Sequence, residues 1–305
     1  MLPHVMDVLS PLPGETVVDC TLGRAGHAVE LLRCVGPTGR LIGIDCDGES
    51  IAAARDRLAQ AGANFTIRHS NFAALGQIVG ELAPAGADIV LADLGMSSMQ
   101  VDDSDRGFSY VRDGPLDMRM DRSRGRTAAQ VLATIPAADL AAAIAEFGDE
   151  PHAERIAAAL VDARNQHPIT RTSELIAVIG RALDVAVTRE TGWQLQPHRG
   201  RWRSHPAART FQALRMLVNR ELASLQELLR VLPQCLRPGG RAAIISFHSG
   251  EDRLVKAAFQ DGLNKRAYEA VGQEPVRASE AEKLANPRAR SAKLRWAKRP
   301  LREAR

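Results

Sequence analysis

The chain has no pair of cysteines at metal-site spacing: Cys20, Cys34, Cys46 and Cys235 stand apart along its 305 residues. Thiols spaced this way argue against a disulfide framework and fit a reducing compartment, so the expected location is the cytoplasm. The eight histidines are equally scattered, and no metal is expected. No apolar run approaches the length of a membrane span, so no membrane partner is expected. The first residues, Met1-Leu2-Pro3-His4, lack the basic flank and apolar core of a signal peptide and the Arg/Ser-rich pattern of a transit peptide. Internal repeats and low-complexity tracts are also missing.

What is present describes a soluble globular chain. A hydrophobic content of 45% and a charged content of 25% leave room for one large core or two modest ones. The net charge of +4 is too small to establish a nucleic-acid partner. Its distribution says more: from Arg288 onward, eight Lys or Arg stand against one Glu. That tail reads either as a surface for a polyanion or as a solvated basic end.

The first third alternates strand and helix patterns. Expected strands are Thr16–Thr21, Arg40–Asp45, Phe65–His69 and Ala87–Leu94. A helix with a Ser50 cap is expected over Ser50–Ala61. Strands alternating with helices predict a parallel sheet. Gly95–Arg126 reads as a polar loop, and Ala128 to about Ala186 as helical throughout. Asp184–Pro206 is irregular. A helix over Thr210–Leu232, a turn at Arg237-Pro238-Gly239-Gly240, a buried strand over Arg241–Phe247 and a last strand near Ala292–Ala297 follow. The expected fold is α/β: a doubly wound, mostly parallel sheet built from residues 1–105 and 205–305, interrupted by a loop and all-helical insertion over 106–204.

The most specific local signal is Asp19-Cys20-Thr21-Leu22-Gly23-Arg24-Ala25-Gly26-His27, a strand end, a small-residue loop and a helix start. Three nucleotide ligands compete for such a loop. A triphosphate loop needs a terminal Gly-Lys-Ser/Thr, which does not follow Gly26. A dinucleotide loop wants Gly-x-Gly-x-x-Gly, but Thr21 stands at the first position. S-adenosylmethionine has no phosphate to cradle; Asp19 suits its ammonium, and Gly23 and Gly26 give clearance. A plain structural turn is the remaining alternative. Asp45, ending the next strand, can accept both hydroxyls of a ribose. Asp93 ends the fourth, and ligands of doubly wound sheets sit beyond the strands' carboxyl ends. Phe72 reads either as a platform for adenine or as core.

From Asp93 onward longer motifs follow in order. They are Asp93-Leu94-Gly95-Met96-Ser97-Ser98-Met99-Gln100, Arg106-Gly107-Phe108-Ser109 and Asp113-Gly114-Pro115-Leu116-Asp117-Met118-Arg119-Met120-Asp121. Phe147-Gly148-Asp149-Glu150, Arg209-Thr210-Phe211-Gln212-Ala213-Leu214-Arg215, Ser246-Phe247-His248-Ser249 and Asn286-Pro287-Arg288-Ala289-Arg290-Ser291 continue the series. Together they resemble the bacterial MraW/RsmH family. The resemblance implies a class I methyltransferase fold with a helical insertion acting as substrate-recognition domain. It also implies S-adenosyl-L-methionine as cofactor and methylation of the N4 amine of a cytosine in the decoding region of 16S rRNA. The implied partner is small-subunit ribosomal RNA, bare or within the assembled 30S subunit, and a homodimer is left open. Carried over by motif, cofactor contacts fall on Ala25, Gly26, His27, Asp45, Phe72, Asp93 and Gln100, and the loop reading above adds Gly23. Ala25 departs from the family's usual Gly, Met99 from a common Pro and Gly250 from a common Leu. Asp184–His205 matches no family motif.

Two other classes of function remain on the same residues: a methyltransferase of another substrate, and a non-catalytic rRNA-binding assembly factor. The first would not need the Arg-rich loop and basic tail. Intact Asp19, Asp45, Asp93 and Gln100 argue against the second.

Cytosine N4 is a poor nucleophile because its lone pair is delocalised, so a nearby acceptor is expected. DNA amino methyltransferases carry an Asn/Asp/Ser-Pro-Pro-aromatic motif after the fourth strand; here no Pro-Pro follows Asp93, which predicts a different acceptor. Asp117 is the first choice, with pairing to Arg119 or Arg122 as its structural alternative. His248 is the second choice, and Ser249 with Asp252 also reads as a capping box. Phe108 and Tyr110 are expected to stack on the base. Arg112, Arg119, Arg122, Arg124 and Arg126 are expected to track phosphates, or to form a solvated loop face.

Overall fold

The computed structural model describes residues 1–185 and 205–301; most of the unmatched stretch Asp184–His205 lies outside them. The chain divides into two compact units, Met1–Gly95 with Leu222–Arg305, and Met96–Glu221. In chain order the first unit begins with α1 (Leu2–Leu9), β1 (Thr16–Asp19), α2 (Gly26–Val35), β2 (Arg40–Asp45), α3 (Gly48–Ala61), β3 (Phe65–His69), α4 (Leu75–Leu82) and β4 (Ala87–Asp93). The second holds α5 (Ser98–Asp102), α6 (Ala128–Leu132), α7 (Ala137–Gly148), α8 (Ala153–Gln166), α9 (Thr172–Ala182) and α10 (Ala208–Asn219). After α11 (Glu221–Cys235), the first unit resumes with β5 (Leu236–Ser246), α12 (Ser249–Asn264), β6 (Ala270–Val271), β7 (Val276–Arg277), α13 (Glu280–Ala285) and β8 (Lys293–Lys298).

One sheet organises the first unit, in the order β3-β2-β1-β4-β5-β8-β6, with β7 also pairing β8. The first five strands run parallel, and β8 is antiparallel to β5. The order reverses between β1 and β4, the switch point at which a doubly wound sheet opens a crevice. Period-two alternation divides the strands between two cores. Val18, Ile42, Ile44, Val90, Ala92 and Ile244 pack with residues of α4, α11 and α12. Val17, Leu41, Ile89, Leu91, Ala243 and Ile245 pack with residues of α1, α2 and α3. Each fully buried aliphatic side chain contributes roughly 1.5–3 kcal/mol, so the sheet is held from both faces.

Three local expectations are corrected. The cap of α3 is Asp47, whose carboxylate accepts the Glu49 N–H at 3.1 Å, and Ser50 lies inside the helix. The helix expected over Thr210–Leu232 is two helices, broken at Arg220 with φ +52° and ψ +41°. Arg237–Gly240 is an irregularity within β5: pairing slips between Ala87↔Leu236 and Ile89↔Arg241, which accommodates the extra residues as a bulge.

The second unit is a helical cluster over a built loop. Leu140, Ile144, Ile156, Leu160, Leu175, Ile179 and Leu214 form its core. Buried Arg106 donates to the carbonyls of Arg119 at 3.2 Å and Met120 at 2.9 Å. Asn219, at the end of α10, accepts the Met120 N–H and donates to the Met118 carbonyl, both at 2.7 Å. Gly107 and Gly114 make this folding-back feasible. A Cβ on Gly107 would stand 2.3 Å from the Pro115 carbonyl oxygen, and one on Gly114 1.9 Å from that of Ser104. The expected polar loop is therefore a packed structure with α5 at its start.

Candidate active site

The carboxyl ends of β2, β1, β4 and β5 lie side by side, about 4.8 Å between neighbours. They present Asp45, Asp19, Asp93 and, two residues past β5, His248. This is the crevice edge of the first unit.

The loop after β1 is tied into that edge. Thr21 Oγ1 accepts the Asp93 N–H at 2.6 Å, joining β1 to β4. Asp19 is buried and accepts the Thr21 N–H at 3.1 Å. Burial pushes its carboxyl up to about 7; the charges of Asp93 and Asp45 add to the rise and the Thr21 hydrogen bond offsets part of it. Asp45 accepts the Gly23 N–H at 2.6 Å on one oxygen and the Asp47 N–H at 2.8 Å on the other. Its carboxyl is also raised, chiefly by desolvation. Those backbone donors fix its plane and leave each oxygen a further lone pair for a hydroxyl.

Ala25, the N-cap of α2, is buried in the left-handed region at φ +59° and ψ +33°, where the methyl departs from the glycine favoured there. A Cβ on Gly26 would meet nothing within 4 Å, so open space borders the helix start. His27 Nδ1 lies 3.6 Å from Asp93 Oδ2, and burial pushes its imidazole down to about 4, leaving it neutral near pH 7. Phe72 follows an Asn71 cap and packs half-buried against the core. Asp93 itself is raised to about 7, mainly by desolvation; the Met1 ammonium opposes this and Glu251 reinforces it. Its Oδ1 is buried without a hydrogen-bond partner. Acceptors for a ribose and a cation, with open space beside the start of α2, fit an adenosyl group carrying a positive tail.

Beyond β5 the expected capping box is replaced. His248 caps α12, its Nδ1 accepting the Glu251 N–H at 3.4 Å, and its Nε2 lies 3.0 Å from Glu251 Oε1. Asp252 is occupied by Arg295 at 2.6 Å and Lys293 at 2.8 Å, both from β8. Buried Glu251 was missed from the sequence: its other oxygen accepts the Phe247 N–H at 3.0 Å. Its spacing of three from His248 was the available signal.

The remaining site residues belong to the second unit. Gln100 is buried in a capping box with Ser97, its Oε1 accepting the Ser97 N–H at 3.0 Å. Asp117 has the structural partner that sequence reasoning left as its alternative. Arg119 grips both its oxygens, Nε to Oδ1 at 2.7 Å and Nη2 to Oδ2 at 2.8 Å. Although desolvation opposes it, these bonds hold the Asp117 carboxyl below its usual range, a poor disposition for a base. The same grip takes Arg119 away from a free phosphate-tracking role. Phe108, expected to stack on a base, is buried in the helical core with the Arg106 guanidinium 5.9 Å from its ring centroid; core packing claimed the ring. Tyr110 stacks on His205 at 4.7 Å and meets Phe211 edge-on. Arg122 and Arg124 are exposed, Arg124 pairing with Asp121 at 2.6 Å. Among the described residues, no group of three or more His, Cys, Asp or Glu could hold a metal ion, and no helix is long and apolar enough to cross a membrane.

Comparison with known proteins identifies the family. The model of the MraW methylase family matches residues 1–300. A protein of Geobacter sp. (strain M21) named ribosomal RNA small subunit methyltransferase H is 45% identical, covering 96% of this chain and 95% of its own length. One of the same name from Chromobacterium violaceum is 44% identical over 98% of this chain and 93% of its own. Among solved structures, a SAM-dependent O-methyltransferase of Thermotoga maritima aligns with a TM-score of 0.40 at 10% identity, covering 99% of this chain and 66% of that one. The family match runs from α1 through β8, and the chain belongs to the MraW methylase family.

Proposed function

We propose that this protein transfers a methyl group from S-adenosyl-L-methionine to the N4 amine of a cytosine in the decoding region of 16S ribosomal RNA. The observation that carries the reading is the alignment of Asp45, Asp19 and Asp93 on three neighbouring strand ends of a chain matched by the MraW model over residues 1–300. When bound, the cofactor supplies an electrophilic methyl on a sulfonium. Asp45 holds the ribose hydroxyls, with its plane set by the Gly23 and Asp47 N–H groups. Asp19 faces the cationic tail; a positive charge beside it restores its ionised form against the burial that raises its carboxyl. The loop Gly23–His27 gives the tail clearance, and Phe72 offers a ring for the adenine. Neutral His27 adds no like charge beside a sulfonium.

In the second unit, Arg122 and Arg124 supply charge to RNA phosphates, and the Asp117–Arg119 pair fixes the loop that carries them. Positioning of nucleophile and methyl in line supplies at best roughly 7–11 kcal/mol of the barrier. The test is transfer of labelled methyl to naked 16S rRNA and to assembled 30S subunits, each lacking the mark, with nucleoside mass spectrometry of the product. N4-methylcytidine at the decoding region supports the reading; label on other nucleosides, on protein or on neither substrate overturns it.

A further inference from the structure

The basic end of the chain runs into β8, and the register there sets cation against cation. In the antiparallel pairing of β7 with β8, Arg277 stands opposite Lys293 and Val276 opposite Leu294. Opposite partners share a face of the sheet, and successive residues alternate between faces. Val276 and Leu294 turn to the core shared with α1, α2 and α3. Arg277, Lys293 and Arg295 therefore share the other face, the one that α12 covers. There Asp252 of α12 takes Lys293 at 2.8 Å and Arg295 at 2.6 Å, one carboxylate between two cations. Glu251, the neighbouring acid of α12, is spent on the Phe247 N–H and on His248. Arg277 is exposed, and among the described residues it makes no ion pair. Like charges directly opposite each other oppose folding, and nothing described in the first unit offsets this pair.

The corner is also built in advance of a ligand. Lys293 keeps 24% of its side chain exposed while Asp252 tethers its ammonium, and Arg295 is buried behind it. The motif Asn286–Ser291 fixes the entry into β8: Asn286 accepts the Arg288 N–H at 3.2 Å to cap a short helix, and Ala289 and Ala292 are buried. Side chains already ordered lose less freedom when an anion arrives. An arginine fork matches two phosphate oxygens, and a lysine adds a point charge beside it.

The position in the sheet says which polyanion fits. Lys293 lies opposite Ser246, the last residue of β5, so the cations stand at the same edge as the crevice. β8 is two strands from β4, roughly 10 Å at the usual strand spacing. A base delivered to that crevice brings the phosphodiesters beside its own nucleotide to such a distance. We infer that the β7–β8 corner, Arg277 with Lys293, grips a phosphodiester of the RNA strand flanking the target nucleotide. This rests on the rRNA reading above and adds a backbone contact on the first unit, separate from Arg122 and Arg124 on the second. The contact reads no sequence; it fixes the register of the strand against the sheet edge. Asp252 is a positioning residue, because it tethers the lysine.

The test uses the full chain, the variants Arg277→Ala and Lys293→Met, and the control Arg55→Ala, which removes an exposed charge from α3. A single-stranded rRNA fragment spanning the target cytosine is titrated from low to high salt. It is used unmodified and with a single uncharged methylphosphonate linkage on one side or the other of the target. Arg277→Ala is expected to lower the slope of log affinity against log salt by about 0.7, the value for one phosphate on a single strand. Its melting temperature is expected to equal or exceed that of the wild type, because the opposition of like charges is gone. Lys293→Met, which leaves Arg295 on Asp252, is expected to lower the slope in the same direction, and Arg55→Ala to keep it. One methylphosphonate position should weaken the wild type and leave Arg277→Ala unaffected. An unchanged slope in Arg277→Ala, an equal loss in Arg55→Ala, or a melting temperature that falls together with the affinity each overturns the contact. So does binding to phosphatidylserine vesicles or polyglutamate that depends on Arg277 while the RNA slope does not. If the linkage effect holds and no rRNA is methylated, the proposed function fails and the phosphate contact stands. If rRNA is methylated and the slopes are equal, the function stands and this contact fails.

Discussion

Arg215 and Glu221 give the sharpest energetic prediction in the helical unit. Arg215 Nε meets Glu221 Oε1 at 2.8 Å and Nη2 meets Oε2 at 2.9 Å, a two-point contact with each side chain about 10% exposed. Removing either partner takes this two-point contact from the other charge in a low-dielectric setting, so Arg215→Ala and Glu221→Ala should each cost about 3–5 kcal/mol. Replacing both by apolar residues of similar volume, Arg215→Met with Glu221→Leu, removes both buried charges and should bring the loss to within about 1–2 kcal/mol of wild type. Hydrogen exchange of the α10 amides under urea reads the stability of this unit itself. The consequence reaches the loop, because Arg215 sits one helical turn before Asn219, which accepts the Met120 N–H and donates to the Met118 carbonyl. Single variants should therefore also raise exchange at Met120. Single losses below about 1 kcal/mol, the range of an exposed pair, or a double variant equal to the sum of the singles, would refute the reasoning.

Three further outcomes follow from the site. Asp19 has its folded carboxyl raised from 3.8 to about 7, so the fold disfavours its ionised form; the penalty is absent below about pH 4 and complete above about pH 7. Asp19→Asn should raise the melting temperature at pH 8 and lose that advantage by pH 4–5; a gap constant with pH would contradict the burial argument. Asp45→Ala removes the proposed ribose acceptor and leaves the Gly23 and Asp47 N–H groups without their carboxylate, so calorimetry should show cofactor affinity falling roughly 10–150-fold, from hydrogen bonds worth about 1.5–3 kcal/mol. An equal loss of RNA binding would remove the ribose role. Charge reversal at Arg122 and Arg124 should flatten the dependence of log affinity on log salt by about one unit per lost phosphate contact; an unchanged slope would take these exposed side chains out of the RNA interface.

What was legible in the sequence divides along the range of the interactions. Strand runs such as Arg40–Asp45 and Ala87–Asp93 carry their own signal, because burial on both faces demands continuous apolar residues, and the acid ending each run follows from the same reading. Caps were legible only roughly: Asp47 and Ser50 are both good N-cap residues, and a shift of one helical turn separates them. The break at Arg220 has no Gly or Pro to announce it, since a non-glycine residue takes the left-handed turn where buried Arg215 reaches across to Glu221. Asp252 read as a helix cap because its partners, Arg295 and Lys293, stand 43 and 41 residues away. Phe108 and Asp117 illustrate the same limit at the site. An aromatic and an acid on a polar loop look available for a base and a proton until the packing of α10 and the fork of Arg119 claim them. Asp93 shows the converse: its backbone N–H is held by Thr21 while one carboxylate oxygen is buried without a hydrogen-bond partner, a distinction that no spacing along the chain encodes.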